Sequence, residues 1–517
     1  MHASLGDVAT WGSGGTPSRK ITEYYQGTIP WIKTGELGSK FIRFAEEKIT
    51  EKAIRESSAK IFPKESVGIA MYGATIGKVS VWGIDASTNQ ACAVAQTHSY
   101  ALNNIFLYYF LLSEKQNIIK AGKGGAQPNI SQGILKEWPI FLPPLNEQHR
   151  IVTKIEELFS ELDKGIESLK KAREQLKIYR QAVLKHAFEG KLTEKWREEN
   201  ADKLETADQL LARIQKEREA RYQQQLDEWK EAVKKWEVNA KEGKKPAKPR
   251  INKQKEPVST DESDKICNIP KNWSWVRPEN IVSPTPYSIG IGPFGSNLKV
   301  SDYRDEGVPL IFVRNITRND FSLNLKYIDQ KKSEELKAHV VEPLDIVITK
   351  MGDPPGDCQI YPPESQKAIL TADCLKFRIW SDFVERDFYK YCIWSSHVKK
   401  QLGLITKGVA QKKISVDRFK TIAIPLPPQE EQKQIIKEIE SKFSIIIQLE
   451  ADLEINLKKS EVLRQSILKK AFSGQLVEQD PNDEPASILL ERIKAEKEKQ
   501  IKFAHKKKRT KKRKTAA

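Results

Sequence analysis

Two short runs have the residue types and spacing of chemical sites. Gly73-Ala74-Thr75-Ile76-Gly77-Lys78-Val79 has the outline of a loop that cradles phosphates with backbone N–H groups and a lysine. It is one residue short between its glycines, and Val79 stands where a Ser or Thr would hold magnesium, so ATP binding is not expected there. Asp353-Pro354-Pro355-Gly356 has the outline of the (Asn/Asp)-Pro-Pro-aromatic run with which amino-methyltransferases hold a target base. Gly356 lacks the stacking ring and no glycine-rich cofactor loop accompanies it, so a turn is expected instead. The histidines form no HExxH, GxSxG is absent, and the acidic residues assemble into no nuclease constellation. A non-enzymatic chain is expected, with no catalytic residue, no metal site and no cofactor of its own.

The chain has 517 residues, enough for about three or four units at roughly 100–200 residues each. Hydrophobic residues make up 39% and aromatics 8%, so real cores form and wholesale disorder is excluded. No apolar run reaches the ~20 residues that span a bilayer. The first seven residues lack an export pattern, and five scattered cysteines form no CxxC pair. A soluble, reduced, cytoplasmic protein is expected. Part of the net charge of +18 lies in the stretch Lys506 to Lys514, where every residue but Thr510 is basic. Two readings of it stay open, a solvated end and a non-specific phosphate-binding arm.

The elements that carry any site are duplicated. Leu142-Pro143-Pro144 returns as Leu426-Pro427-Pro428, and Glu147-Gln148 as Glu431-Gln432. In the same register Ile151, Ile155 and Phe159 match Ile435, Ile439 and Phe443. Arg180-Gln181, Ala187-Phe188, Gly190 and Leu192 match Arg464-Gln465, Ala471-Phe472, Gly474 and Leu476. Lys123-Gly124, Ala126-Gln127 and Ile130-Ser131 also return, as Lys407-Gly408, Ala410-Gln411 and Ile414-Ser415. The segments ahead of each block share an outline of short β-type runs and one apolar helix, but few identities. The order is variable unit, shared helix, variable unit, shared helix.

Each shared block predicts a long helix. Asn146 is the expected N-cap and Gly190 the expected stop. Between them Ile151, Ile155, Leu158, Leu162, Gly165, Leu169, Ala172, Leu176, Tyr179 and Val183 alternate in steps of four and three, the coiled-coil spacing. The second copy places Ile435, Ile439, Ile446, Leu449, Leu453, Leu463 and Ile467 equivalently, with Asn456 and Ser460 interrupting the seam. A rod on the order of 65 Å follows from ~1.5 Å per residue. Antiparallel pairing of the two helices would give the duplicated chain pseudo-two-fold symmetry. Ala207 to Glu237 can continue as helix, with Leu210, Leu211 and Ile214 as a partial apolar face.

The Leu-Pro-Pro-x-x-Glu-Gln lead-in and Ala-Phe-x-Gly-x-Leu exit of each helix resemble the specificity subunit of type I restriction-modification systems. So do Gly14 to Ser18, Ile29-Pro30-Trp31, Tyr72 to Gly77, Gln127-Pro128-Asn129-Ile130 and Ile269 to Trp275. The resemblance covers nearly the whole chain. It implies an α+β protein with two α/β target-recognition domains separated by two long antiparallel coiled-coil helices. The expected divisions are recognition domain 1 (1–145), spacer helix 1 (146–192), a charged helical extension and linker (193–270), recognition domain 2 (271–428), spacer helix 2 (429–476), and a helical extension with basic tail (477–517). Each domain would read one half of a bipartite, asymmetric sequence in double-stranded DNA, with the helices setting the unread spacer. Two methyltransferase subunits carrying S-adenosylmethionine would dock on the helices and methylate adenine N6. Motor-nuclease subunits would bring ATP and magnesium. Two departures stand out: the first unit starts at Leu5-Gly6-Asp7 without the Ile-Pro-Lys-Asn-Trp-type lead-in of the second, and the basic tail is no hallmark of the family.

Base edges are read by Arg, Lys, Asn and Gln, and phosphates are held by Ser, Thr, Lys and backbone N–H groups. The first-unit candidates are Thr16, Ser18, Arg19, Lys33, Thr34, Tyr72, Thr75, Lys78, Gln127 and Asn129. Those of the second are Arg314, Asn315, Thr317, Arg318, Lys350, Lys407, Gln411 and Lys412. A non-enzymatic coiled-coil scaffold predicts no salt-dependent duplex binding. An RNA-binding protein predicts preference for single strands.

Overall fold

In the computed structural model the described residues are 2–122, 129–238, 243–249, 256–352, 355–406, 413–496 and 498–499. Each globular part is closed by a short antiparallel strand pair joining its beginning to its end, His2–Ser4 on Pro139–Phe141 in one and Ser274–Val276 on Ile424–Leu426 in the other. Between these clasps lie two sheets. The larger sheet of the first part runs Ala9–Ser13, Cys92–Thr97, Val67–Ala70, Val79–Trp82, all antiparallel, with Phe41–Ile42 added parallel at its edge. The second part repeats the order with Ile289–Ile291, Cys374–Phe377, Ile346–Thr349 and Cys358–Ile360. The smaller sheets differ. One places Ile29–Ile32 between Glu47–Ile49 and Ser87–Thr88, and the other has four strands around Val308–Ile311 and Ala368–Leu370. Parallel pairs are few, and the class is α+β.

The long helices span Leu145–Phe188 and Gln429–Phe472. The first begins one residue before Asn146, whose capping place is taken over by Pro144: its carbonyl already accepts from Gln148 N at 2.9 Å, and proline suits a helix start because it has no N–H to satisfy. Both helices end as expected. Gly190 and Gly474 sit at φ +72°, and the following N–H groups reach back to His186 O and Lys470 O at 2.9 Å. These are the left-handed caps for which glycine is favoured.

The compact units do not follow the sequence divisions. One comprises residues 1–171 and 453–517, the other residues 172–452, so each takes one globular part and a portion of both helices. In the first, Ile151, Ile155 and Phe159 share a core with Ile467, Leu468 and Ala471, and Arg464 pairs with Asp163 while lying over the Phe159 ring. In the second, Val183, Leu184 and Ala187 share a core with Ile435, Ile439, Phe443 and Ile446, and Arg180 pairs with Glu450 at 3.0 Å over the Phe443 ring. Within each unit the helix segments run antiparallel. Each fully buried Ile or Phe of these seams contributes roughly 1.5–3 kcal/mol.

The seam corrects the heptad reading in places. Gly165, Tyr179, Leu449, Asn456 and Leu463 are exposed, whereas Ile166, Arg180, Glu450, Leu457 and Arg464 lie on the half-buried stripe. A straight α-helix has 3.6 residues per turn, so over twelve turns its buried stripe drifts off a 3.5-residue repeat. Ser460 does lie on the stripe. The extension forms the helix Ala207–Val238, with Ala207, Leu210 and Ile214 buried and Leu211 packed beside them. Leu489 and Ile493 play that part in the first unit.

Candidate nucleic-acid interface

The glutamine of each helix lead-in clamps its globular part. Gln148 Oε1 accepts from Asn103 N at 2.9 Å, and its Nε2 donates to Ala101 O and Pro143 O at 2.9 Å. Gln432 Oε1 likewise accepts from Glu385 N at 2.8 Å, and its Nε2 donates to Pro427 O at 2.9 Å. Aromatic contacts repeat as well, Phe106 with Phe472 and Phe388 with Phe188 at 5.1 Å, edge to face. The loops projecting from the sheets are therefore held on one repeated chassis.

In the first unit the Gly14–Lys20 loop is pinned by Gly15 N to Thr88 O at 2.9 Å. A Cβ on Gly14 would stand 1.9 Å from Thr88 O, so only glycine fits. Thr16, Ser18 and Arg19 are exposed on this loop, with Thr16 bonded to Gln90. Arg19 pairs with Glu47 at 2.6 Å and lies 4.2 Å over the Tyr25 ring. Lys33 pairs with Glu46 and Glu47 at 2.8 and 3.3 Å. These pairs raise both basic groups' affinity for protons and hold the Glu47 carboxyl below its usual range. Gly73-Ala74-Thr75 forms a tight turn between the hairpin strands Val67–Ala70 and Val79–Trp82, with no helix behind it to complete a phosphate loop. It leaves Tyr72 exposed and Thr75 and Lys78 half-exposed. Ile130 N bonds Met71 O at 2.8 Å, which sets the exposed Asn129 beside Tyr72. Thr34 opens the short turn Thr34–Glu36, and Gly38, just beyond it, has the Lys78 side chain against it. Gln127 lies outside the described residues, as do Gly124 and Gly408.

The second unit corrects two candidates. Asn315 is fully buried. Its Oδ1 accepts from Phe312 N at 3.0 Å, and its Nδ2 donates to Asp320 O at 3.0 Å and Leu323 O at 2.9 Å, so it builds its loop and has no edge left for a base. Lys350 is also buried, donates to Ala372 O at 3.1 Å, and is eased toward neutrality by desolvation. Thr317 and Arg318 are exposed, although the Thr317 hydroxyl donates to Val313 O at 3.2 Å. Arg314 is half-buried over the Phe312 ring, with Nη2 on Asn324 O at 2.6 Å. Lys407, Gln411 and Lys412 lie outside the described residues, as do Asp353 and Pro354. Lys350 and Met351 do lie beside Lys413 and Ile414, as Met71 lies beside Ile130 in the first unit.

One loop was missed. Gly292 approaches Thr371 O as Gly14 approaches Thr88 O, with a would-be Cβ at 2.0 Å, and the residues that follow, Phe294, Ser296, Asn297 and Lys299, are exposed. The common spacing of Gly14 to Ser18 and Gly292 to Ser296 was the available signal. The exposed Arg43 and Phe44 were also missed, because nothing local marks an outward-facing edge.

Among the described residues, Glu189, Cys267 and His397 bring possible ligand atoms within 4.8 Å of one another. The Glu189 carboxylate is already held by Lys191 at 2.7 Å, with Lys185 at 3.9 Å. This cationic setting opposes a divalent ion.

Two globular parts of one plan, with different residues on equivalent loops and a repeated helical support, define a duplicated class of protein that presents two different loop surfaces. The chain belongs to the family of type I restriction modification DNA specificity domains, whose model matches residues 1–175 and 300–459. It is 30% identical over 187 residues to the EcoR124I/EcoR124II specificity subunit of Escherichia coli, spanning 34% of this chain and 46% of that subunit. It is 23% identical over 484 residues to the MjaIX specificity subunit of Methanocaldococcus jannaschii, spanning 91% of each. A chain from a solved structure addressing assembly and conformational transition of the type I R-M system shares the fold at TM-score 0.60 and 17% identity, over 92% of this chain and 98% of that one. No described helix is long and apolar enough to cross a membrane.

Proposed function

We propose that this specificity subunit reads a split target in double-stranded DNA, one half with each recognition domain, and itself catalyses nothing. The observation that carries this reading is one strand order and one glycine-pinned loop occurring twice, bearing Thr16, Ser18 and Arg19 in one copy and Phe294, Ser296 and Lys299 in the other. Equivalent loops with different donors are what two different half-sites require. The long helices set the unread gap, since helix length converts to duplex length at about 3.4 Å per base pair. They also dock two modification subunits, which bring S-adenosylmethionine for methylation of adenine N6; motor-nuclease subunits bring ATP and magnesium. Exposed Ile178, Tyr179, Ile445, Ile447, Ile455 and Val462 support a partner on the helices. A cytoplasmic location fits this role. The test is reconstitution with the modification subunits, followed by mapping of methylated adenines. Two half-sequences at a constant gap are expected. Binding to duplex DNA that is insensitive to salt, or methylation at a single uninterrupted sequence, would overturn the reading.

A further inference from the structure

The strand register of the second unit gathers its polar loops at one end of its sheets. Ile291 lies opposite Leu375, Thr349 opposite Cys374 and Ile348 opposite Cys358. Gly292 N donates to Cys374 O at 3.2 Å, Lys350 N to Asp373 O at 2.8 Å, and Thr371 N to Ile311 O at 3.0 Å. Lys413 joins the same end through Asp373 at 2.9 Å. The segment after Ile311, with Arg314 and Arg318, and the segment after Gly292, with Lys299, therefore start from one edge.

Phe294 is the anomaly there. Its ring is 69% exposed and belongs to none of the described hydrophobic cores of this unit. Its backbone is nevertheless held. Gly292 fits against Thr371 O only without a side chain, Pro293 fixes its own φ, and Asn297 N donates to Phe294 O at 2.8 Å to close a turn. The turn presents an apolar ring in a preformed place, flanked by the exposed Ser296, Asn297 and Lys299. Covering such a ring is favourable, and the ordering that would oppose it is already done. The first unit has Thr16 at the equivalent position, with its hydroxyl donating to Gln90. The ring is thus no part of the repeated chassis but one of the features in which the two units differ.

In a base-paired duplex the base faces are stacked and the groove edges are polar, apart from the C5 methyl group of thymine in the major groove. A phenyl ring has no polar atom with which to read anything else there. We propose that Phe294 reads a thymine in the half-site of the second unit, by packing its ring on that methyl group. This rests on the reading of the chain as a duplex-binding specificity subunit, and it deepens that reading by naming a residue and the base feature it selects.

The test uses the full chain reconstituted with the modification subunits, on the duplex defined by mapping methylated adenines. Each thymine of the two half-sequences is replaced in turn by deoxyuridine, which lacks only the methyl group, and binding is titrated by fluorescence anisotropy. At one thymine the replacement should weaken binding about fourfold, the worth of one buried methyl group. In Phe294→Ala the same replacement should weaken it less than about 1.5-fold, with the salt slope of binding unchanged. The deoxyuridine series leaves the protein untouched, so the parent's dependence on the methyl group stands even if the variant folds poorly. Thymine penalties that are the same in Phe294→Ala as in the parent would overturn the proposal and leave the bipartite reading intact. So would a 2-aminopurine signal of unstacking that depends on Phe294, because the ring would then be a wedge between base pairs. Absence of salt-dependent duplex binding by the parent would instead overturn the reading itself, and the proposal with it.

Discussion

Replacing Arg197 by methionine probes how the repeated glutamate is tolerated. The Glu431 side chain has no solvent exposure and that of Arg197 has 16%. The substitution keeps most of the side-chain length, but removes the guanidinium that lies 5.7 Å from the Trp273 ring centroid and donates to the carboxylate. Thr193, Trp273 and Asn272 remain as neutral donors, and Gly190 O loses the Arg197 bond. Breaking a buried pair in this way costs ~3–5 kcal/mol, and the three surviving donors and the partial exposure of Arg197 put the expected loss near the low end, about 3 kcal/mol. Adding Glu431→Gln should return most of it, because a neutral amide needs no counter-charge. The assay is urea unfolding of the full chain, with hydrogen-exchange protection read over 273–276 and 429–446 to place the loss. A loss below about 1 kcal/mol for Arg197→Met, or a double variant no better than the single, would refute the account of Glu431 as a charge held by this pair.

The same logic gives the opposite sign for the first copy. Burial pushes the Glu147 carboxyl above its usual range, so the folded state holds its proton longer and stability falls as pH rises through that interval. Glu147→Gln should therefore stabilise the chain at pH 7 and not at pH 4, measured by unfolding midpoints. Lys376 is buried and lowered to about 8, so its charge opposes folding below that pH, and the unfolded chain binds more protons between about 8 and 10.5. Lys376→Met should stabilise by up to about 3 kcal/mol at pH 7, with the difference from the parent shrinking toward pH 10.5. Adding seven residues to both long helices, after Lys171 and after Asp452, should lengthen the gap between methylated half-sites by about three base pairs without changing the bases read, at ~1.5 Å per residue. An unchanged gap in the methylation map would sink the spacer role. Lys78→Ala should lower the salt slope of duplex binding by about one, whereas Asn315→Ala should lower stability and leave the slope alone.

The duplicated motifs, the two long helices, their glycine stops and the two-reader plan were legible in the sequence, because identical spacing imposes identical local physics. Short-range patterns cannot say which side of a loop faces outward. Asn315 and Lys350 have the composition of readers, but the fold buries them, while the Phe294–Lys299 loop emerges as a counterpart of Thr16–Lys20 only when both glycines are seen against their threonine carbonyls. The seam shifted from Gly165 to Ile166 and from Tyr179 to Arg180 because helix geometry, not an ideal heptad, fixes which side is covered. Sequence alone made Glu147 and Glu431 the same residue. Tertiary structure brings Thr193 and Arg197 onto Glu431, and the repeat has Val477 and Pro481 in their places, because donors to a buried carboxylate are supplied by segments outside the matched helix start.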